Sequence, residues 1–373
     1  MHLQNLFLSN FKNYRNAELQ FTDKINCFVG DNGVGKTNLL DAIYYLSFCK
    51  SFFNQSDSQN ILHDEDFFLV KGTFSREEMT DDTVSCLQKR GQRKQFRINK
   101  KEYERLSEHI GLFPSVMVSP ADTELIYGGS DERRKFMDSV ISQFDRIYLD
   151  DLIAYNKALF QRNRLLKLFG SGMPFDNDAL DIWDVQLANL GSRIFEKRTA
   201  FIQGFTPVFD RLFSKISQDR EGVTLEYQSQ LSEEKPDVLL RNSISRDCAA
   251  QFTTCGIHKD DLQFNLGGLP IRKFGSQGQQ KTFTIAIRLA QFEYIRTIKD
   301  FKPLLLFDDI FDKLDEHRVR QLLDLVSEHS FGQVFISDTH PERIINTIKS
   351  IEAETKVFKI HDGLVTEILN GNE

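Results

Sequence analysis

INCFVGDNGVGKTNLLDAIYYL, residues 25–46, holds three patterns in succession. An apolar run ends at Gly30, a glycine-rich loop follows, and from Lys36 the residues Leu39, Leu40, Ile43, Tyr44 and Leu46 recur at helical spacing. Strand, loop, helix is the context in which Gly30-Asp31-Asn32-Gly33-Val34-Gly35-Lys36-Thr37 reads as a phosphate-binding loop of the form GxxxxGK[ST]. Glycines let successive backbone N–H groups converge on phosphate, and the helix N-terminus adds its positive end. Lys36 then reaches the β and γ phosphates, Thr37 is a magnesium ligand, and the ATP-binding stretch runs from Gly30 through Asn38. This loop alone leaves kinases, GTPases and transporters open.

Its partner is PLLLFDDIFDKLD at 303–315, a buried apolar strand running into Asp308 and Asp309. Asp308 would hold magnesium, directly or through water, and Asp309 would orient or deprotonate the attacking water. Adjacent carboxylates at a strand end also serve as turn residues, and it is Lys36 upstream that turns the reading toward chemistry.

The third element, FGSQGQQK at 274–281, leads into the helical run TFTIAIRLAQFEYI, so Ser276, Gly278 and Gln279 open a second helix N-terminus. A plain helix cap is the competing reading. The order of loop, serine-glycine turn and carboxylate strand resembles the ABC-type ATPases. There the serine hydroxyl and glycine amides bind the γ-phosphate of an ATP seated on the partner subunit, so the resemblance implies a divided nucleotide site and a dimer. Residues 312–315 would form the D-loop, with Asp315 as its aspartate. After VFIS, the resemblance places a switch residue at His340, with Thr339 as the alternative. His340 precedes Pro341, so it reads equally as a helix-start residue.

Outside these motifs the chain is ordinary: 373 residues, 40% hydrophobic and 27% charged. A formal charge of −7 argues against coating nucleic acid with the whole surface, while allowing a local basic face. Five scattered cysteines without a CxxC pair fit reduced thiols rather than a zinc or disulfide framework. Lys12 and Arg15 stand too early for a signal peptide, and no run approaches the roughly 18 apolar residues of a membrane span. A soluble cytoplasmic chain without a membrane partner is expected.

Residues 66–100 alternate in short runs, predicting an antiparallel sheet beside the nucleotide core. From about 130 to 250 the pattern is mostly helical, and from 256 strands and helices alternate again. The expected organisation is therefore an N-terminal part of the ATPase core with its β subdomain at 1–130 and a helical, lid-like subdomain at 131–250. The C-terminal part of the core, with the serine-glycine turn and the carboxylate strand, occupies 251–373. The fold class is α/β: an ABC-type P-loop ATPase head with an antiparallel β subdomain and an inserted helical subdomain.

KRGQRKQFRINKK, residues 89–101, carries seven cations in an otherwise acidic chain. Arg90, Arg93, Lys94 and Arg97 are the candidate DNA contacts, set against a solvated strand edge protected by its charges. Nothing here reads bases, so any binding would be to the backbone and sequence-independent.

With these stretches in view the chain resembles the RecF family, relatives of the SMC ATPases, over nearly its full length. The matching stretches are FKNY at 11–14, residues 25–52, VSPAD at 118–122, RRKFMD at 133–138, QRNRLLK at 161–167, WDVQLANLGSRI at 183–194, GIHKDDLQF at 256–264, GSQGQQKT at 275–282 and LLLFDDIFDKLD at 304–315. The resemblance implies a recombination mediator in DNA repair and replication that dimerises with ATP, binds duplex or gapped DNA, hydrolyses ATP slowly and works with RecO and RecR. Asp309 stands where many ABC-type ATPases have glutamate, Asp312 replaces a common D-loop serine, and Ser119-Pro120 occupies the place of a Q-loop glutamine. The ATPase subunit of a transporter shares the three nucleotide motifs, but needs a membrane partner and no duplex DNA. A structural SMC-like protein is disfavoured, because the insertion is about 120 residues and lacks sustained heptads.

Overall fold

The computed structural model describes residues 1–76, 79–217, 222–310, 331–343 and 354–370. They fall into two compact units. The first comprises Met1–Asp122, Lys215–Gln218 and Lys281–Glu373; the second comprises Thr123–Ser214 and Asp219–Gln280.

The chain opens with β1 (His2–Phe11), β2 (Tyr14–Gln20), β3 (Ile25–Val29) and α1 (Lys36–Phe48). Strands β4 (Phe67–Arg76), β5 (Met79–Lys89), β6 (Gln95–Ile98), β7 (Lys101–Glu102) and β8 (Ser115–Val118) follow. Next come α2 (Glu124–Tyr127), α3 (Ser130–Ser142), α4 (Arg146–Gly170), α5 (Asn177–Ser217), β9 (Val223–Gln228), α6 (Pro236–Ala250), β10 (Asp261–Leu266), β11 (Leu269–Pro270) and α7 (Ile271–Phe274). Helix α8 (Gln277–Lys299) contains the boundary between the units and leads to β12 (Leu304–Asp308), β13 (Val334–Asp338), β14 (Thr355–His361) and β15 (Leu364–Asn370).

Two six-stranded sheets build the first unit, in the orders β2-β1-β4-β5-β6-β7 and β15-β14-β3-β13-β12-β8. The former is antiparallel throughout, as the alternating runs over 66–100 predict. In β1, Leu3 and Leu6 are both buried despite their odd spacing, because the register with β4 shifts between Leu3 and Asn5. The second sheet is parallel except for β15, and β3, β12 and β13 are buried at every position, which is why they read as continuous apolar runs.

Helix α1 packs against β8, β12 and β13 of the parallel sheet and β1, β4 and β5 of the antiparallel one. Nearly all its side chains are buried, so apolar residues surround it instead of forming one stripe. Aromatic edges help fill this core: Phe21 meets Phe335 edge-on at 4.9 Å, and Phe11 meets Phe68 at 5.3 Å.

The second unit holds α2 to α7 and a three-stranded antiparallel sheet, β11-β10-β9. It begins at Thr123 and ends at Gln280, taking in Ser276, while Lys215–Gln218 belong to the first unit. Its core is partly ionic. Arg162, fully buried, donates to Asp184 at 2.5 Å, Asp247 at 2.6 Å and Thr253 at 3.0 Å. Arg198, equally buried, donates to Asp138 at 2.8 Å, Asp260 at 3.1 Å and the Ile257 carbonyl at 2.9 Å. Buried guanidinium groups persist only when their donors are matched in this way, and removal of one partner strands the other.

Candidate functional site

The glycine loop leaves β3 at the C-terminal edge of the parallel sheet, where open α/β sheets place their ligands. Gly35 precedes α1 with φ 116°, a conformation that excludes most side chains, and a Cβ there would stand 2.5 Å from Asn13 Nδ2. A Cβ on Gly30 would collide with the carbonyl oxygen of Ile360. The loop is therefore bordered by the turn between β1 and β2 and by the end of β14.

That first turn carries Asn13 and Tyr14, whose function sequence reasoning does not reach. Asn13 Nδ2 donates to the Val34 carbonyl at 2.8 Å, Asn38 Nδ2 donates to Asn13 Oδ1 at 2.7 Å, and Tyr14 Oη donates to the Gly35 carbonyl at 3.1 Å. The only sequence signal is FKNY standing between two alternating runs. Asn38 is thus engaged through its side chain with Asn13 while it also lines the nucleotide cleft.

A cleft of about 130 Å³ is lined by Asn32, Gly33, Gly35, Lys36, Thr37, Asn38 and Asp309. Lys36 folds over the loop, its Nζ donating to the carbonyls of Gly30 and Asp31 at 2.7 Å each. Burial lowers its pKa, opposed by the carboxylates of Asp309, Asp308, Asp338 and Asp31. Thr37 Oγ1 donates to Asp308 Oδ1 at 2.7 Å. Burial raises the Asp308 pKa, while the hydrogen bonds from Thr37 and Ser337 oppose that rise.

At the end of β13, Asp338 is fully buried and accepts from the His340 backbone N–H at 2.6 Å and from Arg343 Nη2 at 2.7 Å. The two switch candidates touch each other, Thr339 Oγ1 lying 2.9 Å from His340 Nδ1. Asp315 lies outside the described residues.

In the second unit, Ser276 Oγ accepts from the Gln279 N–H at 3.2 Å while Gln279 Oε1 accepts from the Ser276 N–H at 2.8 Å. This reciprocal pair is a capping box at the start of α8. The Gln279 side chain therefore serves its own helix, whereas the exposed Ser276 hydroxyl accepts in the cap and keeps its proton for donation. Gly278 lies in the same first turn. Gln280, one residue on, is buried, accepting from Tyr127 Oη and donating to the Ile271 carbonyl at 3.1 Å.

The basic segment divides. Arg90 Nε donates to the Glu65 carbonyl at 2.9 Å, Arg93 to the Glu104 carbonyl at 2.9 Å, and Arg97 to Gln95 at 3.0 Å, all with exposed side chains. Lys94 differs: its Nζ lies 2.6 Å from the Cys49 carbonyl, 2.7 Å from Asp57 and 3.2 Å from Tyr45 Oη. All three donors are engaged within the fold, so a phosphate contact from Lys94 would compete with these bonds.

Residues 2–366 match the family described as RecF/RecN/SMC N terminal domain. The chain is 51% identical over 368 residues to the DNA replication and repair protein RecF of Phocaeicola vulgatus, covering 98% of each chain. The RecF of Flavobacterium johnsoniae is 50% identical over 360 residues, covering 96% of this chain and 100% of that one. The chain belongs to the RecF family.

A solved structure of the recombination mediator protein RecF-ATPrS in the RecFOR pathway matches with TM-score 0.89 at 30% identity, covering 99% of this chain and 98% of that one. The Smc head domain from Pyrococcus furiosus, at 17% identity and TM-score 0.58, shares the fold. Against this background the RecF-family stretches acquire physical roles. FKNY buttresses the phosphate loop through Asn13 and Tyr14. RRKFMD, QRNRLLK, WDVQLANLGSRI and GIHKDDLQF supply Arg133, Asp138, Arg162, Asp184, Asp260 and Asp261 to the ion pairs of the second unit. Those four motifs hold shape. Among the described residues no helix is long and apolar enough to cross a membrane.

Proposed function

We propose that the chain is a RecF-type recombination mediator in DNA repair and replication, an ATPase that closes as a dimer on duplex or gapped DNA when ATP binds. The observation that carries the reading is the convergence of Lys36, Thr37, Asp308 and Asp309 at the cleft of the phosphate loop. The likeness to RecF-ATP structures supports ATP as its occupant. Membership in the RecF family likewise favours this reading over a transporter subunit.

Thr37 and Asp308 present hard oxygen donors that already meet at 2.7 Å, a donor set that fits Mg²⁺. Bound there, the ion would neutralise charge on the β and γ phosphates. Lys36 adds a second positive charge, the loop amides hold the phosphate oxygens, and Asp309 orients water. A carboxylate one methylene shorter than glutamate suits slow turnover. His340 or Thr339 then senses the γ-phosphate. Ser276 and Gly278 act across the dimer on the ATP of the partner subunit, with Gln279 supporting Ser276, and Asp315 completes the D-loop.

Arg90, Arg93 and Arg97 are the proposed phosphate-backbone contacts. RecO and RecR are the proposed partners, since the similar RecF structure is described as part of the RecFOR pathway. The proposed organisation is a cytoplasmic protein whose ATPase core, 1–130 and 251–373, is interrupted by a lid-like subdomain at 131–250. Sedimentation and duplex-DNA retention, each with and without ATP, test the reading in wild type and Lys36→Ala. ATP should drive dimer formation and DNA binding in wild type alone. Equal dimerisation of the two proteins, or DNA retention indifferent to ATP, would sink it.

A further inference from the structure

Ser337 lies on β13 at the position that pairs with Asp308 on β12, and it is fully buried. Its hydroxyl donates to Asp308 Oδ1 at 2.9 Å and accepts from the Asp309 backbone N–H at 2.9 Å. One oxygen thus joins the two carboxylate residues of the cleft. We infer that Ser337 is a positioning residue for ATP hydrolysis, setting the metal-facing carboxylate of Asp308 and the backbone of Asp309 through a single hydroxyl.

Two features make that hydroxyl more than a filler. Asp309 has φ 50°, a left-handed conformation uncommon outside glycine, which aspartate tolerates better than most residues and which a local constraint holds in place. The bond from its N–H to Ser337 is such a constraint, and the conformation fixes the direction in which its side chain leaves β12. Meanwhile Thr37 and Ser337 both donate to Asp308 Oδ1, and among the described residues Oδ2 accepts no hydrogen bond. The carboxylate is therefore oriented by one oxygen and presents the other. A donor that also accepts polarises both of its bonds, so the chain Asp309 N–H, Ser337 O–H, Asp308 Oδ1 acts as a unit.

This inference rests on the reading that Asp308 and Asp309 serve hydrolysis, and the test separates the two. Ser337→Ala should lower kcat about 10- to 100-fold while KM and the affinity for a fluorescent ATP analogue change less than about threefold. Half-saturation by Mg²⁺, followed by that analogue under non-hydrolysing conditions, should rise several-fold. Ser337→Thr keeps the hydroxyl and should restore kcat to within about threefold of wild type. A thermal scan establishes that each variant is folded; if Ser337→Ala is not, Ser337→Cys, with a weaker donor and acceptor of similar shape, should give an intermediate kcat. If Asp309→Asn is inactive but Ser337→Ala or its cysteine substitute turns over like wild type, the positioning role is wrong. A Ser337→Thr as slow as Ser337→Ala also overturns it. If Asp309→Asn itself turns over like wild type, the failure belongs to the assignment of the carboxylates.

Discussion

Asn38 and Asn13 are joined side chain to side chain at 2.7 Å, so the first turn of α1 is tied to the turn that ends β1. Asn13 simultaneously holds the Val34 carbonyl, and one amide group thereby fixes the phosphate loop on both sides of Gly35. Asn13→Ala removes both bonds, each worth about 1 kcal/mol. ATP affinity should fall about 3- to 30-fold by fluorescent-nucleotide titration, with the far-UV circular dichroism unchanged. Wild-type affinity would show that the loop holds its form without this buttress.

Ser276 caps α8 and is proposed to reach the partner's ATP. Ser276→Arg should leave ATP affinity of the monomer within about threefold of wild type yet abolish ATP-driven dimers in sedimentation, because the long cation fills the γ-phosphate seat. The lost cap costs about 1 kcal/mol, visible as a small drop in Tm. A loss of monomer affinity as large as that of Lys36→Ala would contradict the divided site.

The basic segment should respond in two different ways. Replacing Arg90, Arg93 and Arg97 with alanine should weaken binding to every DNA sequence alike and flatten the salt dependence by about 0.9 for each lost phosphate contact. Lys94→Ala should leave the salt slope intact and instead destabilise the fold by roughly 1–3 kcal/mol, since Asp57 and the Cys49 carbonyl lose a partner. A changed salt slope in Lys94→Ala would return it to the DNA face.

His109 provides a pH signature. It is fully buried, with Nε2 2.6 Å from the Leu46 carbonyl and Nδ1 3.1 Å from Tyr103 Oη. Nε2 must carry the proton to donate to a carbonyl, and in the neutral ring that burial favours Nδ1 accepts from Tyr103 Oη. Burial pushes its pKa down to about 4 from the ordinary 6.5. The unfolded chain therefore binds a proton that the native chain refuses, and stability, complete above 6.5, is lost as pH falls through that window to about 4. The contribution is about 3 kcal/mol. In His109→Phe, urea unfolding between pH 7.5 and 4.5 should show a slope smaller by roughly one proton; an unchanged slope would assign the acid sensitivity elsewhere.

The strand, glycine loop and helix at 25–48 are legible because their signals are local: an apolar run, a glycine spacing and a 3.6-residue period. The carboxylate pair at 308–309 is legible for the same reason. Ser337 is not, because its role depends on a parallel pairing between β12 and β13 that one-dimensional spacing does not encode. The inward bonds of Lys94 are not legible because composition counts charges without seeing which ones turn inward. The burial of Arg162 and Arg198 is not legible either, since arginine belongs to the surface by default and only matched acids from distant parts of the chain make burial tolerable.

Strand β3, which delivers the phosphate loop, has both its hydrogen-bonding edges occupied by late parts of the chain: Ile25 pairs with Val334 on one side and with Thr355 on the other. During synthesis at about 5–20 residues per second, the first thirty residues leave the ribosome well before their neighbours exist. Until β13 and β14 emerge, β3 is an unpaired apolar strand, and the loop lacks the Ile360 carbonyl that borders Gly30. The nascent chain therefore cannot complete its nucleotide site until β13 and β14 have been synthesised. Any truncation before β14 would leave a polypeptide containing the whole phosphate-loop sequence yet lacking the sheet needed to shape it, with an exposed strand inviting aggregation.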